Sequence, residues 1–149
     1  MNTLPVRLKK LTSTAKIPTY ATPGSAAADL YADLDAPVTL APGARFAVPT
    51  GIAISAGRSD VVALLCGRSG MGVKSGVTLS NCVGVIDSDY RGEIRVSLIN
   101  HGAEPYTVNP GDRVAQMLFM PVFRAEYTEC ESLDETERGE GGFGSTGKA

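Results

Sequence analysis

An acidic segment near the middle of the chain contains residue types suited to proton transfer and sugar recognition. Residues 84–93 read GVIDSDYRGE. Asp87 follows two apolar residues at the end of a predicted strand, so its carboxylate can be fixed while facing a cleft and can take a proton from water. Tyr90 offers a flat ring against which a sugar can press. Because Asp87, Ser88 and Asp89 are also common turn formers, the segment alone leaves both interpretations open. We expect a β-hairpin with an acidic tip.

A second segment, Arg68-Ser69-Gly70, has the composition of a phosphate-binding turn. It directly follows an apolar strand predicted over residues 61–66. A strand that feeds into a helical turn presents free N–H groups, which attract phosphate. Arg68 adds charge and Ser69 adds a hydroxyl. An ordinary turn with a surface arginine is the alternative.

The C-terminal segment is the third candidate. Residues 138–147 read RGEGGFGSTG, and glycine-rich backbone followed by Ser145 and Thr146 can surround phosphate oxygens while Arg138 supplies a forked cation. Phe143, alone among glycines, could stack on a base. The segment lacks the Gly-Lys-[Ser/Thr] ending of a P-loop. By composition alone it would be a flexible tail.

Two single polar residues complete the set of candidates. Gln116 lies inside an apolar run over residues 114–119, and a buried amide must find hydrogen-bond partners or lower stability. It therefore orders something polar, such as a water molecule, or bonds the backbone. Asp29 is a single acid that follows small residues, which permit close packing.

The elements that must position these residues are predicted to be short β-strands. Glycine (17) and proline (9) interrupt the sequence every few residues, and many short strands at near-regular spacing favour a sandwich, jelly roll or barrel. One short helical turn is expected to begin near Arg68. Predicted strands cover residues 38–40, 45–48, 52–55, 61–66, 83–86, 93–99 and 114–119.

Composition excludes several classes of protein. The chain has 149 residues, enough for one domain, and its net charge of −2 provides no basic field for nucleic-acid binding. No apolar run is long enough to span a bilayer, and the N-terminal residues do not resemble a signal peptide. The three cysteines include no CxxC pair and are expected to be reduced, as in the cytoplasm. A single histidine, His101, excludes a His-rich metal site.

In chain order, the regions around Asp29, Arg68–Gly70, residues 84–93, Gln116 and residues 138–147 resemble the five motifs of the trimeric dUTPase family. The most specific signatures of that family, GVIDxDYRGE and RGxGGFGSTG, are matched by residues 84–93 and 138–147. The resemblance extends from about Gly24 to Gly147. It implies an all-β jelly roll (a dUTPase-like β-clip) over residues 1–127 and a flexible glycine-rich arm over residues 128–149 that completes a neighbouring subunit's active site. The implied assembly is a homotrimer that hydrolyses dUTP to dUMP and pyrophosphate.

The resemblance also implies a role for each candidate residue. Asp87 would activate the attacking water and Gln116 would help to position it. Tyr90 would pack under the deoxyribose and exclude a 2′-hydroxyl. Mg²⁺ would be bound through substrate phosphates and water, with Asp29 touching its hydration shell or holding the hairpin. The remaining residues divide into phosphate-binding Arg68, Ser69 and Gly70, uracil-reading Asn81, Val85, Ile86 and Arg95, and the arm residues Arg138, Phe143, Gly144, Ser145 and Thr146, which close over the nucleotide.

Two departures and two alternatives accompany the resemblance. Gly67 stands where the family more often has Pro, Ser or Ala, and Cys82, beside Asn81, is interpreted as a small apolar filler. One alternative is a dCTP deaminase of the same superfamily, and the other is a nucleotide-responsive regulatory binding protein. The Asp87 and Tyr90 segment, together with Phe143 in the tail, favours the hydrolase.

Overall fold

The computed structural model describes residues 3–142 and confirms the predicted all-β fold. This part of the chain contains eleven β-strands and one seven-residue α-helix. Their bounds, in chain order, are β1 (Arg7–Lys10), β2 (Ala28–Tyr31), β3 (Val38–Leu40), β4 (Arg45–Pro49), β5 (Ile52–Ser55), β6 (Val61–Cys66), α1 (Ser69–Ser75), β7 (Val77–Leu79), β8 (Gly84–Ile86), β9 (Arg95–Asn100), β10 (Tyr106–Val108) and β11 (Arg113–Pro121).

The strands form antiparallel sheets, and β11 is an inner strand of the largest one. The largest sheet has the order β2-β11-β6-β8, and a three-stranded sheet has the order β4-β9-β7. Two further pairs, β1 with β5 and β3 with β10, complete the sheets of the described chain. In the largest sheet Gln116 of β11 lies opposite Asp29 of β2 on one side and Cys66 of β6 on the other. This register brings three of the sequence-predicted segments together.

The hydrophobic core lies between the sheets and follows the period-2 pattern of half-buried strands. Along β6, Val61, Ala63 and Leu65 are buried while the residues between them are partly exposed. Leu98 of β9 and Val114 of β11 contribute to the same cluster and are almost inaccessible to solvent. The strands are therefore fixed in register, since a one-residue slip would turn their apolar side chains away from the core.

The helix begins directly after the predicted phosphate-binding arginine. Arg68 is its N-cap residue and keeps an extended backbone. The helix ends at Gly76, whose φ of 68° is the left-handed conformation that glycine adopts at low cost. The predicted short helical turn is confirmed. None of the helices in the described residues has the length and apolar character needed to cross a membrane.

The sequence pattern missed four strands, β1, β2, β7 and β10. In β2 the residues ADLY include Ala and Asp, which are depleted in strands, yet Ala28, Asp29 and Leu30 are all buried. Tertiary contact decides here, because β2 pairs with β11 along most of its length. Local propensity therefore gave a wrong answer at one of the candidate site residues.

The predicted β-hairpin over residues 84–93 is wrong. Strand β8 pairs with β6, whereas β9 pairs with β4 and β7, so the two strands belong to different sheets. Residues 87–94 connect one sheet to the other instead of forming a tight turn. The reason is that β9 lies between β4 and β7 and has no free edge with which to pair β8.

After Pro121 the described chain contains no further helix or strand. Residues 122–140 are exposed throughout. Three of their large apolar side chains, Phe123, Tyr127 and Leu133, are almost fully accessible. A solvated apolar side chain is common singly, but three in one extended segment indicate a surface that has no partner within its own chain.

Candidate active site

A buried carboxylate, Asp29, organises the first group of candidate residues. Its side chain is 4% exposed, and the Arg113 Nη1 atom lies 3.1 Å from Oδ2. The Arg68 Nε atom donates to Oδ1 over 3.3 Å, and Gln116 Nε2 approaches the same oxygen at 3.5 Å. A carboxylate removed from water is stable only when it is paired and hydrogen-bonded. We call these four residues the Asp29 cluster.

The Asp29 cluster fixes Arg68 at the start of α1. The Arg68 guanidinium also donates from Nη1 to the carbonyl of Arg113 at 3.2 Å. About a quarter of the Arg68 side chain, 25%, remains exposed. Ser69 and Gly70 form the exposed first turn of the helix, where backbone N–H groups have no intrahelical acceptor. The Arg68 guanidinium, held by Asp29, therefore lies beside the free N–H groups of Ser69 and Gly70. Such an arrangement can bind phosphate oxygens.

Gln116 and Asp29 take positions that differ in part from the expected ones. The Gln116 amide finds a side-chain partner, Asp29, rather than a backbone group. The hydrogen bonds that the Asp29 carboxylate accepts in the described chain come from Arg68, Arg113 and Gln116. None of these bonds reaches residues 84–93, so the expected role of Asp29 in holding that segment stays a prediction.

Sequence reasoning missed Arg113. It lies just before the apolar run that contains Gln116, after Pro110, Gly111 and Asp112, but nothing in the local sequence distinguishes it from a surface arginine. The signal is the register of β11 on β2, where Arg113 faces Tyr31 and a bulge follows before Ala115 faces Leu30. Such a register is not readable without the fold.

The titration of a neighbouring tyrosine reflects the same surroundings. Burial raises the pKa of the Tyr106 phenol on β10, the Asp112 carboxylate raises it further, and the Arg68 cation lowers it. The phenol therefore stays protonated near neutral pH and can donate a hydrogen bond.

The second group of candidate residues lies on residues 87–93 of the connection between the sheets, which we call the 87–93 loop. Asp87 follows β8 directly and is exposed. Its carbonyl accepts a hydrogen bond from the Tyr90 N–H at 3.1 Å. The Tyr90 hydroxyl donates to the carbonyl of Glu93 at 3.0 Å, and Arg91 Nη1 donates to the carbonyls of Ser88 and Tyr90, both at 2.8 Å. The loop is thus held by hydrogen bonds that its own side chains and backbone donate to its own carbonyl groups.

The predicted uracil-reading residues lie near an exposed sheet edge. Strand β8 is the outer strand of its sheet, so one side of Val85 and Ile86 presents backbone groups that no other strand of this sheet pairs. Such an edge is a template for further hydrogen bonds. Asn81 is exposed in the turn after β7. Arg95 lies at the start of β9 and its Nε atom is 3.2 Å from Glu93 Oε2.

Cys82 is not an apolar filler. Its side chain is exposed, and its backbone adopts a φ of 61°. The left-handed region costs a residue with a Cβ roughly 1–2 kcal/mol. Hydrogen bonds from Cys82 N–H to Leu79 and from Val83 N–H to Asn81 hold the turn in this conformation.

The two groups do not meet within one chain. Ile86, the residue before Asp87, faces Ala63 on β6, whereas Gln116 faces Cys66 on the other side of the same strand. Three residues of strand correspond to roughly 10 Å, and Asp87 continues away from Cys66. No hydrogen bond or ion pair between residues 3 and 142 joins the Asp29 cluster to the 87–93 loop. One chain therefore does not bring its Asp87 beside its own Arg68.

The arm residues and possible metal ligands complete the description. Arg138 Nε donates to the carbonyl of Gly141 at 2.7 Å, within the arm itself. The predicted contacts of Phe143, Gly144, Ser145 and Thr146 fall outside the described residues. Across the described part of the chain, His, Cys, Asp and Glu side chains form no group of three or more that could hold a metal. Mg²⁺ prefers phosphate and water oxygens, and its expected binding through the substrate and water stays a prediction.

Comparisons with known proteins identify the family. Residues 13–147 match the dUTPase family model. A deoxyuridine 5′-triphosphate nucleotidohydrolase of Desulfitobacterium hafniense is 51% identical over 149 residues, with 99% of both chains covered. The solved dUTPase of Staphylococcus bacteriophage 80alpha with dUPNHPP has a TM-score of 0.88 and 25% identity, and the match covers 98% of this chain and 100% of that one.

A dUTPase mutant from phage phi11 of S. aureus, whose structure describes a structural Mg(II) ion, has the same fold. Its TM-score is 0.78 and its identity 21%, with 88% of this chain and 99% of that one covered. The fold, the order of the motifs and these relatives agree with one another. The chain belongs to the dUTPase family.

Proposed function

We propose that the chain hydrolyses dUTP to dUMP and pyrophosphate with Mg²⁺, which limits uracil incorporation into DNA and supplies dUMP for dTMP synthesis. The observation that carries the proposal is the convergence of Asp29, Arg68 and Gln116 at one end of β11, in a chain whose relatives are named for this reaction. The cluster supplies an oriented cation beside free N–H donors. Those are the groups that a triphosphate requires.

The proposed chemistry begins at Asp87. Its carboxylate takes a proton from a water molecule as the water oxygen attacks the α-phosphorus. The bond from the α-phosphorus to the bridging oxygen breaks, and pyrophosphate leaves with the electron pair. Arg68 and the N–H groups of Ser69 and Gly70 stabilise the charge on the phosphate oxygens, while Gln116 orients the water.

The bound cation has a limited part in this scheme. Mg²⁺ held by phosphate and water oxygens supplies charge neutralisation and fixes the conformation of the triphosphate. Asp29 is the residue that would contact its water ligands. The buried position of Asp29 and its two arginine partners support an indirect role over direct ligation.

Uracil recognition is assigned to the edge of β8 and its surroundings. Backbone groups of Val85 and Ile86, with Asn81 and backbone near Arg95, would bond the pyrimidine edge. Uracil and cytosine differ in donor and acceptor at position 4, so a fixed backbone can separate them. Tyr90 would lie against the deoxyribose and leave no space for a 2′-hydroxyl.

The proposed site is shared between subunits of a homotrimer. The roughly 10 Å offset along β6 supports this, because Asp87 of one chain would serve the Asp29 cluster of another. The arm, residues 128–149, would close over a neighbour's nucleotide with Arg138, Phe143, Gly144, Ser145 and Thr146, while residues 1–127 form the jelly roll. A groove of about 790 Å³ lined by apolar side chains such as Val6, Ile17 and Phe119 favours extensive contact with a neighbouring chain.

The cellular compartment belongs to the same proposal. Cys66, Cys82 and Cys130 are free thiols, which favours a reducing compartment such as the cytoplasm. Determining the thiol content of protein isolated from cells under acid quench would test it. Disulfide-linked chains in that sample would argue against this location.

A turnover assay tests the function directly. The purified chain is incubated with Mg²⁺ and dUTP, and pyrophosphate and dUMP are quantified. We expect both products in equal amounts, and a loss of turnover when Mg²⁺ is chelated. Deamination of dCTP without pyrophosphate release from dUTP would instead assign the chain to the deaminase branch. No turnover of either nucleotide would leave only the regulatory alternative.

A further inference from the structure

The ring of Tyr90 rests on the backbone of Gly92. A Cβ atom built on Gly92 would lie 2.4 Å from the Tyr90 hydroxyl oxygen and 2.6 Å from Cζ. Ordinary contacts between such atoms are about 3.5–4.0 Å. Gly92 does not adopt a positive φ, so what the structure requires at this position is empty space rather than an unusual backbone conformation.

The surface on which the ring rests is fixed to the body of the protein. Glu93, which accepts the Tyr90 hydroxyl at its carbonyl, accepts the Gly51 N–H at its side-chain Oε1 over 3.0 Å. The next residue, Ile94, donates its N–H to the carbonyl of Ile52 at 2.9 Å and is completely buried. A methyl group at position 92 therefore displaces the ring, since the backbone beneath it cannot retreat.

We propose that Gly92 is a specificity-determining residue, whose missing side chain sets the position of the Tyr90 ring and thereby the space at the 2′ position of the sugar. This inference rests on the proposed function, in which Tyr90 lies against the deoxyribose. Gly92 acts through Tyr90 and touches no reacting atom. Tyr90 is 45% exposed, so a displaced ring moves towards solvent, loses its bond to Glu93 and no longer bars a ribose.

The test compares selectivity between dUTP and UTP, measured as the ratio of their kcat/KM values. We expect Gly92→Ala to lower the ratio at least tenfold, towards the value of Tyr90→Ala. Tyr90→Phe keeps the ring and loses one hydrogen bond, so its ratio should fall only a few-fold. Gly72→Ala is the matched control, because a Cβ at Gly72 meets nothing within 4 Å; it should leave the ratio unchanged.

The double variant Gly92→Ala with Tyr90→Ala separates a steric effect from a folding defect. Without the Tyr90 ring, an alanine side chain at position 92 clashes with nothing, so the double variant should fold. Its dUTP/UTP ratio should equal that of Tyr90→Ala, which means that the effects of the two substitutions are fully non-additive. A ratio well below that of Tyr90→Ala would show that Gly92 acts by another route and would overturn the inference.

Failure of the inference is distinguishable from failure of the function. Suppose that the dUTP/UTP ratio of Gly92→Ala stays within twofold of wild type while the ratio of Tyr90→Ala falls. That result would remove the role of Gly92 and leave dUTP hydrolysis intact. An unchanged ratio in Tyr90→Ala removes the sugar gate, and with it this inference. Absence of dUTP turnover in the unmodified protein contradicts the proposed function itself.

Discussion

The Asp29 cluster and the 87–93 loop place candidate functional groups by different physical means. In the cluster, an Asp29 side chain that is 4% exposed lies within a sheet and is neutralised by two arginines from separate segments. In the loop, Asp87 is exposed and its neighbours are held by side-chain and backbone hydrogen bonds to loop carbonyls. The cluster therefore couples function to stability, whereas the loop can lose its carboxylate with little effect on folding.

The largest effect on activity is expected from Asp87→Asn. The substitution keeps the shape of the side chain but removes the base, and loss of a general base typically lowers kcat by about 10²–10⁴-fold. Because Asp87 is exposed and its structural hydrogen bond uses its carbonyl, the melting temperature should stay unchanged. Steady-state kinetics with dUTP and a thermal melt are the measurements.

Asp89→Asn, a change to the neighbouring exposed acid, is the control and should stay fully active. If Asp87→Asn turns over dUTP within a few-fold of the unmodified protein, Asp87 is not the base. The 87–93 loop then does not supply the catalytic carboxylate.

Asp29→Asn should instead affect both stability and activity. Removing one partner of a buried ion pair costs about 3–5 kcal/mol. Here the arginines are partly exposed, so solvent screening reduces the loss to about 1–3 kcal/mol. Denaturant unfolding at a fixed chain concentration measures the effect, since the stability of an oligomer depends on concentration.

Asp60→Asn is the matched control for that variant. Asp60 forms an exposed ion pair with Arg58, and its loss should not move the unfolding midpoint. Equal midpoints for Asp29→Asn and the unmodified protein would show that the buried cluster does not stabilise the fold.

The smallest effect is expected from Arg113→Ala. Asp29 would keep Arg68 as a partner, and 48% of the Arg113 side chain is already exposed. We expect kcat/KM for dUTP to fall by about 3- to 10-fold, which corresponds to about 0.6–1.4 kcal/mol, through loss of the order that the second ion pair imposes on Arg68. The control is Arg58→Ala, in the exposed pair with Asp60, which should retain full activity. An equal loss of kcat/KM in both variants would show that Arg113 has no positioning role.

The extent to which the sequence predicts this molecule differs between the same two regions. Residues 61–66 form a strand as expected, because a short apolar run bounded by turn residues is typical of a strand in a core. The pairing of β8 was not predictable, since a short strand followed by turn formers favours a local hairpin and only the core decides otherwise. Arg113 was missed because its partner, Asp29, is 84 residues distant in sequence. Local chemistry is readable from local sequence, but long-range charge pairing is not.

The central claim is that the Asp87 and the arm that act on one nucleotide come from different chains. Two inactive variants test it: Asp87→Asn with an intact arm, and a truncation after Glu137 with an intact Asp87. When they are co-refolded in equal amounts, random mixing gives a site with both a good Asp87 and a good arm roughly a quarter of the time. We predict recovery of dUTP hydrolysis to about that fraction of the unmodified protein. Activity that stays at the level of the two parents, in trimers whose mixing is verified by native mass spectrometry, would contradict the shared site.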